Sequence, residues 1–260
     1  MIHHQCGNSR ANYHRNAFFY TDTTWDFHLH KNLEVIYVLE GCVKCTVNNV
    51  LYHLTAGQFG LCLPYDIHRY EPEENTRYWV LVFSEDYVRF FVKQTAGKVA
   101  QSFPFHCCPA VENYVKEQLI FNDAPTILTL KSCLYAICQE FLKMIELEKR
   151  DLKETLIISQ VIDYIEANLS GKISLADLAA NLGYDYNYMS RYFRRIFRMT
   201  FTEFVNIYRL EAAIRLLEDT DKNITSIAYE SGFQSVRSFN TFFKERAGCT
   251  PSQYRNTSRK

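Results

Sequence analysis

The chain has 260 residues with 29 Lys and Arg against 29 Asp and Glu, so no bulk charge marks it for nucleic acid or for a charged membrane surface. The length allows roughly two domains of ordinary size. No apolar run approaches the ~18 residues of a membrane helix, and none forms a signal-peptide core. With nine cysteines and no secretory signal, reduced thiols in a cytoplasmic protein are expected rather than a disulfide scaffold.

The even charge balance hides a division along the chain. Residues 187–260 carry 13 Lys and Arg against seven Asp and Glu, whereas all eight histidines lie at or before His106. From Tyr13 to about Phe83 the sequence is a series of short β-rich runs, among them Leu33 to Leu39 and Tyr78 to Phe83. Turns at Gly41, at Asn48 and Asn49, and at Gly57 separate them. Regular short strands of this kind predict a sandwich or small barrel. Cys42 and Cys45 fall in one such strand on opposite faces, which argues against a joint metal or redox role.

His28 and His30 share one strand face and can point into a barrel together with Glu34 and His68. Such a set can bind a metal ion, hydrogen-bond an organic ligand, or pack as satisfied core histidines. Trp25 reads either as core or as a flat stacking surface at the barrel mouth. His3 and His4 are assigned no role.

From Val111 onward the period becomes helical. Leu130, Cys133, Leu134, Ile137, Phe141, Met144 and Ile145 form an apolar stripe on a helix expected to run to about Arg150. Core packing is its commonest explanation, and pairing with a second copy is the other. The charged stretch from Lys149 to Glu154 is the candidate linker.

Between Leu175 and Tyr254 one pattern occurs twice. A short amphipathic helix, a turn at Gly183 and a helix carrying Met189 and Phe193 return as a helix from Ile224, a turn at Gly232 and a helix carrying Phe239 and Phe243. The copies are offset by 49 residues at the glycines and 50 at the phenylalanines. Each is a helix-turn-helix pattern. At about 100° per residue, Met189, Phe193, Ile196 and Phe197 turn inward while Asn187, Arg191, Arg194, Arg195 and Arg198 turn outward. In the second copy Arg237, Thr241 and Lys244 face outward, with Ser235, Val236 and Asn240 near the entering end. Arg can read guanine and Asn adenine through bidentate contacts. The fewer charges in the second copy predict a smaller share of phosphate and guanine contacts there. The segment from Phe201 to Thr220 spans about 30 Å as a helix, close to the ~34 Å between neighbouring major grooves on one face of B-DNA.

The pattern from Leu156 to about Asn256, above all Gly232 with Phe233, Phe242 to Lys244 and Thr250 to Arg255, resembles the DNA-binding domain of AraC/XylS-type transcriptional regulators. That resemblance implies seven helices, two helix-turn-helix units and a linking helix. The family usually has glycine where Arg198 stands, so either the first reading helix runs on or its exit turn is strained. His28, His30, Glu34 and Gly41 resemble the first motif of the cupin barrel, and Gly57 to His68 a looser second motif. The segment from Val82 to Phe91 resembles the family's exit from barrel to helices.

The expected architecture is therefore α+β and multidomain. Residues 1–95 would form a cupin-like effector-binding barrel, 96–150 a helical dimerisation section and 156–257 an all-α bipartite helix-turn-helix domain. The resemblance implies a dimeric regulator of double-stranded DNA, touching two adjacent major grooves and answering to a small-molecule effector, a sugar among the candidates. Trp25, His28, His30, Glu34 and His68 are the expected effector contacts. RNA polymerase is a further candidate partner, and no membrane, cofactor or metal is expected. A metal-dependent cupin enzyme fused to a DNA-binding domain is the rival reading.

Overall fold

The computed structural model describes residues 15–150 and 152–258, so Tyr13, His3 and His4 lie outside the described residues. The chain divides into two compact units between Thr155 and Leu156. No described helix is long and apolar enough to cross a membrane.

The front unit begins with eight strands: β1 (Arg15–Thr21), β2 (Trp25–His28), β3 (Leu33–Glu40), β4 (Cys42–Val47), β5 (Val50–Thr55), β6 (Phe59–Cys62), β7 (His68–Pro72) and β8 (Arg77–Phe83). After a 3-10 turn come α1 (Arg89–Thr95), β9 (Lys98–Ala100), α2 (Pro109–Val115), which runs into a π-helical stretch at Lys116–Ile120, α3 (Ile127–Met144) and β10 (Leu147–Lys149). The eight strands form two four-stranded antiparallel sheets, ordered β1-β8-β3-β6 and β2-β7-β4-β5, while β9 and β10 pair as a separate ribbon.

Strand β3 is buried on both faces, and its period of two sorts its residues into two cores. Ile36 and Val38 join Val80, Val82 and Cys62 of their own sheet and Val43, Cys45, Val47 and Tyr70 of the other in the interior between the sheets. Leu33, Val35 and Tyr37 face the other way, with Trp79 and Leu81, into a core closed by the helices. Strand β4 alternates half-buried and buried along its length, which puts Cys45 inside and leaves Cys42 near the surface.

The second core decides between the two readings of the α3 stripe, in favour of core packing, and bears on two further expectations. Leu130, Cys133, Leu134, Ile137, Phe141 and Ile145 pack into it against the sheet, so the α3 stripe is core within one chain and not a free contact face; Met144 alone turns out, 59% exposed. Residues 96–150 are accordingly part of the front unit rather than a separate helical section. Helix α3 also stops at Met144, because Ile145 is extended and β10 pairs with β9 through Leu147 and Ala100. Lys149 thus ends a strand, and the proposed linker shrinks to the few residues before the next helix.

The helical unit comprises α4 (Leu152–Asn168), α5 (Leu175–Leu182), α6 (Tyr186–Ile196), α7 (Phe201–Asp219), α8 (Ile224–Glu230), α9 (Val236–Ala247) and α10 (Pro251–Ser258). The seven helices are the number the resemblance implies. Start signals explain the boundaries: Ser174 with Asp177 and Thr200 with Glu203 form capping boxes, and Asp185, Asn223 and Ser235 accept first-turn N–H groups. Phe193, Phe197, Phe201 and Phe204 pack ring on ring and join α6 to α7. Leu210, Ile214 and Leu217 of α7 meet Ile227 of α8 and Phe239 and Phe243 of α9 in one core.

Candidate ligand cluster and nucleic-acid interface

Four of the five front residues picked out from the sequence converge between the sheets. His28 closes β2 and pairs in register with His68, which opens β7, while Glu34 on β3 faces them from the other sheet. His30 follows β2, and its Nε2 lies 3.1 Å from Glu34 Oε2. His68 Nε2 is 3.5 Å from the same oxygen. The His28 and His68 rings lie 4.1 Å apart between centroids. All four side chains are buried, Glu34 and His68 completely.

The backbone fixes each ring. His28 Nδ1 donates to the Asp26 carbonyl at 2.7 Å, His30 Nδ1 to that of Asn32 at 3.0 Å, and His68 Nδ1 to that of Asp66 at 2.8 Å. A carbonyl can only accept, so every Nδ1 carries its proton and every Nε2 is turned to the common centre. Burial, reinforced by His68, pushes His28 down to about 3. Burial alone would raise Glu34, but His68 and the hydrogen bond from His30 outweigh it and hold the carboxyl well below its ordinary value. Burial opposes charge on His68 as well, yet Cys62 and Glu34 raise it well above the usual histidine range.

Trp25 stands beside rather than in this cluster. Its ring meets Tyr20 edge-on at 5.2 Å and lies 6.1 Å from His28, and it is packed into the inter-sheet core instead of forming a platform at a mouth. Open space lies elsewhere: a cleft of about 470 Å³ is lined by Val47, Asn48, Tyr52, Asp66, Phe103 and Glu148 among others.

Asp66 is a residue sequence reading passed over. Its carboxylate accepts from the Leu63 backbone N–H, from Asn48 Nδ2 and from Arg150, while its carbonyl holds His68. Arg150 also donates to the Pro64 carbonyl, and its own N–H donates to the Gly97 carbonyl. One buried carboxylate thus ties the strand carrying His68 to the residue two before α4. The partners are 84 residues apart, and only the place of Asp66 two residues before a candidate histidine could have drawn attention to it.

On α6, Met189, Tyr192, Phe193 and Ile196 are buried while Asn187, Arg191, Arg194 and Arg195 are exposed, as the helical period requires. Arg195 lies over the Tyr192 ring at 5.8 Å. Arg198 departs from expectation: α6 ends at Ile196, and Arg198 sits beyond it at φ 56°, in the left-handed region. The exit turn is strained and the helix does not run on, so Arg198 is no member of its outward face. On α9, Arg237, Asn240, Thr241 and Lys244 are exposed and Phe239 and Phe243 buried. Val236 is half-buried, and the Ser235 hydroxyl is engaged as the N-cap by Ser238 N–H at 3.1 Å.

A two-sheet unit with a buried polar centre, followed by a helical unit with two helix-turn-helix motifs, defines a class of two-part helix-turn-helix proteins. The AraC-like ligand binding domain model matches residues 16–138 and a helix-turn-helix domain model matches residues 163–257. The chain thus carries an AraC-like ligand binding domain followed by a helix-turn-helix domain. An HTH-type transcriptional regulator of Staphylococcus aureus is 25% identical over 90% of this chain and 33% of its own length. The melibiose operon regulatory protein of Escherichia coli is 32% identical over 39% of this chain and 33% of its own length. The chain thus spans about a third of the length of each of these relatives. A structure of ToxT from Vibrio cholerae aligns with a TM-score of 0.63 at 18% identity, covering 94% of this chain and 98% of that one, a likeness of fold. Another ToxT structure, with a TM-score of 0.63 at 17% identity, holds an unsaturated fatty acid and covers 97% of each chain.

Proposed function

We propose that the chain is a cytoplasmic transcription regulator that binds double-stranded DNA through α6 and α9 and responds to a small molecule received by its front unit. The observation that carries this reading is the pairing of two helix-turn-helix motifs, each with a buried aromatic face and a basic outer face, on either side of the 19-residue helix α7. At about 1.5 Å per residue α7 is some 28 Å long, which suits two reading helices in neighbouring major grooves. Arg191, Arg194 and Arg195 supply most of the charge, with Asn187, Arg237, Asn240, Thr241 and Lys244 as further contacts. Ser235 and Val236 flank the entering end of α9.

His28, His30, Glu34 and His68 are the polar centre of effector recognition, with Trp25 packed beside them. A sugar, in line with the melibiose operon regulatory protein, or a fatty acid, in line with ToxT, are the effector classes its relatives suggest. The link from His68 through Asp66 to Arg150 is the route by which occupancy biases α4. The protein works as a homodimer, with RNA polymerase as a further contact, and it is not an enzyme. An allosteric coupling of this kind is typically about 1–3 kcal/mol.

The test is footprinting on duplexes selected from a random library by the full chain. Two protected major grooves per protomer are expected. A single protected groove, or binding that does not change in Arg191→Ala or Arg194→Ala at any salt concentration, would overturn the reading.

A further inference from the structure

The outer face of one sheet carries a thiol, an imidazole and a carboxylate that DNA and effector recognition leave unused. Val43, Cys45 and Val47 of β4 and Leu54 of β5 turn into the interior between the sheets, so Cys42, Lys44 and His53 lie on the opposite, outward face. Lys44 pairs in register with His53 and Cys42 with Thr55, which makes Cys42 and His53 diagonal neighbours across two strands. Glu73 follows β7, and its N–H donates to the Cys42 carbonyl at 2.9 Å, continuing the pairing of β7 with β4. Three neighbouring strands thus deliver one side chain each to a single spot. Cys42 Sγ lies 4.0 Å from His53 Nδ1, and one ligand atom from each of the three residues lies within 4.8 Å of the others.

The backbone under the thiol is fixed. Cys42 N–H donates to Thr76 Oγ1 and the same hydroxyl donates to the Cys42 carbonyl, both at 3.1 Å, and Thr76 is fully buried. Gly41 leaves room for that threonine, since a Cβ there would lie 2.4 Å from Thr76 Oγ1. Cys42 is half-buried on this anchored strand, whereas His53 and Glu73 are exposed and can rotate without disturbing the core.

We propose that Cys42, His53 and Glu73 bind one borderline-soft divalent ion of the zinc type on the outer face of the front unit, with water in the fourth position. Bonds of about 2.3 Å to sulfur and about 2.0–2.2 Å to nitrogen and oxygen set neighbouring ligand atoms roughly 3.3–3.6 Å apart in a tetrahedral shell, so movements of up to about an ångström assemble it. A thiolate with an imidazole selects zinc or copper over magnesium and calcium, which take oxygen. Three protein ligands and an open position differ from the closed four-ligand shell of a structural zinc site, so the ion exchanges with solvent. Glu73 Oε1 also pairs with Lys44 at 3.3 Å, but those side chains are 51% and 44% exposed. An ion pair in that setting is weak and gives way to a divalent ion.

The test uses full-length protein without a histidine tag, reduced, stripped with chelator and titrated with Co²⁺, whose charge-transfer absorption reports a thiolate ligand. A band that saturates at one thiolate-bound equivalent per chain is expected, displaced by Zn²⁺ and abolished in Cys42→Ser. Cobalt held elsewhere in the chain leaves its signal in that variant. His53→Ala should weaken binding by more than the roughly 10- to 100-fold that loss of an outer-shell partner costs, and Glu73→Gln should weaken it as well. Lys44→Ala should tighten binding, because it releases the carboxylate from its ion pair. Folded wild-type protein without the band overturns the site, as does a band that survives in Cys42→Ser. Should Cys42→Ser not fold, the two variants of exposed residues decide, and undiminished affinity in both His53→Ala and Glu73→Gln overturns it. DNA binding is measured in none of these arms, so the metal site and the regulatory reading fail separately.

Discussion

The two helix-turn-helix units follow one pattern for different physical reasons. In the first, Gly183 ends α5 at φ 71°, and a Cβ added there would meet nothing within 4 Å. Glycine is needed only for its backbone angle. In the second, Gly232 at φ 96° would place a Cβ 2.1 Å from the Leu169 carbonyl oxygen and 2.9 Å from Arg209 Nε. There the residue is needed for its angle and for the space. The exits are reversed: α9 ends on Gly248 at φ 70°, whereas α6 gives way to Arg198 in the left-handed region. The outer faces differ as well, with three exposed arginines on α6 against Arg237 and Lys244 on α9. The first unit is thus loosely built at its turn and richly charged, and the second is tightly built and sparsely charged. A repeat in sequence does not imply equal shares of stability and recognition.

The sharpest way to break this comparison is Gly232→Ala. Left-handed strain of about 1–2 kcal/mol adds to overpacking of about 1–3 kcal/mol, so a loss of roughly 3 kcal/mol or more is expected by chemical denaturation. A loss under 1 kcal/mol would mean that the contact with Leu169 relaxes freely. Next come Arg191→Ala and Arg194→Ala, each expected to weaken specific DNA binding by about 1–3 kcal/mol where base edges are touched. Arg237→Ala and Lys244→Ala should cost less, and equal losses from both helices in salt-dependent binding would erase the proposed asymmetry. Gly183→Ala should destabilise by about 1 kcal/mol, well short of its counterpart at 232; melting both proteins side by side decides the point. The smallest effect has the opposite sign. Arg198→Gly should stabilise the fold by a few tenths to about 1 kcal/mol, relief of the strained angle being partly offset by a more flexible unfolded chain. A destabilised variant would show that the arginine side chain contributes more than its backbone angle costs.

The helical unit was legible because its signals are local: caps, turn glycines and a 3.6-residue period that sorted Phe193 from Arg194. The convergence of His28, His30, Glu34 and His68 was legible from two short motifs, although strand alternation does not account for His30, which lies beyond the end of β2. The direction of the α3 stripe was not. An apolar face on a helix records that it is covered and says nothing about whether its cover belongs to the same chain. Asp66 and Arg150 were missed because nothing in either neighbourhood announces a partner 84 residues away. The end of α6 was undecidable from residue types, since arginine is a good helix former that here occupies a position suited to glycine.

The close approach at Gly232 bears on where the helical unit can be cut. Arg209 on α7 donates to the Gly171 carbonyl at 2.8 Å and to that of Leu169, so the end of α4 is clasped by α7 as well as by the second turn. Ile157, Ile158, Val161 and Ile162 of α4 are all buried. A fragment beginning at residue 163, where the family match starts, would shear off those four side chains while keeping the clasp that α4 presents. A stable piece of this half of the chain is therefore expected to need α4 from about Leu156, where the compact unit begins, roughly two turns before the family match starts at residue 163.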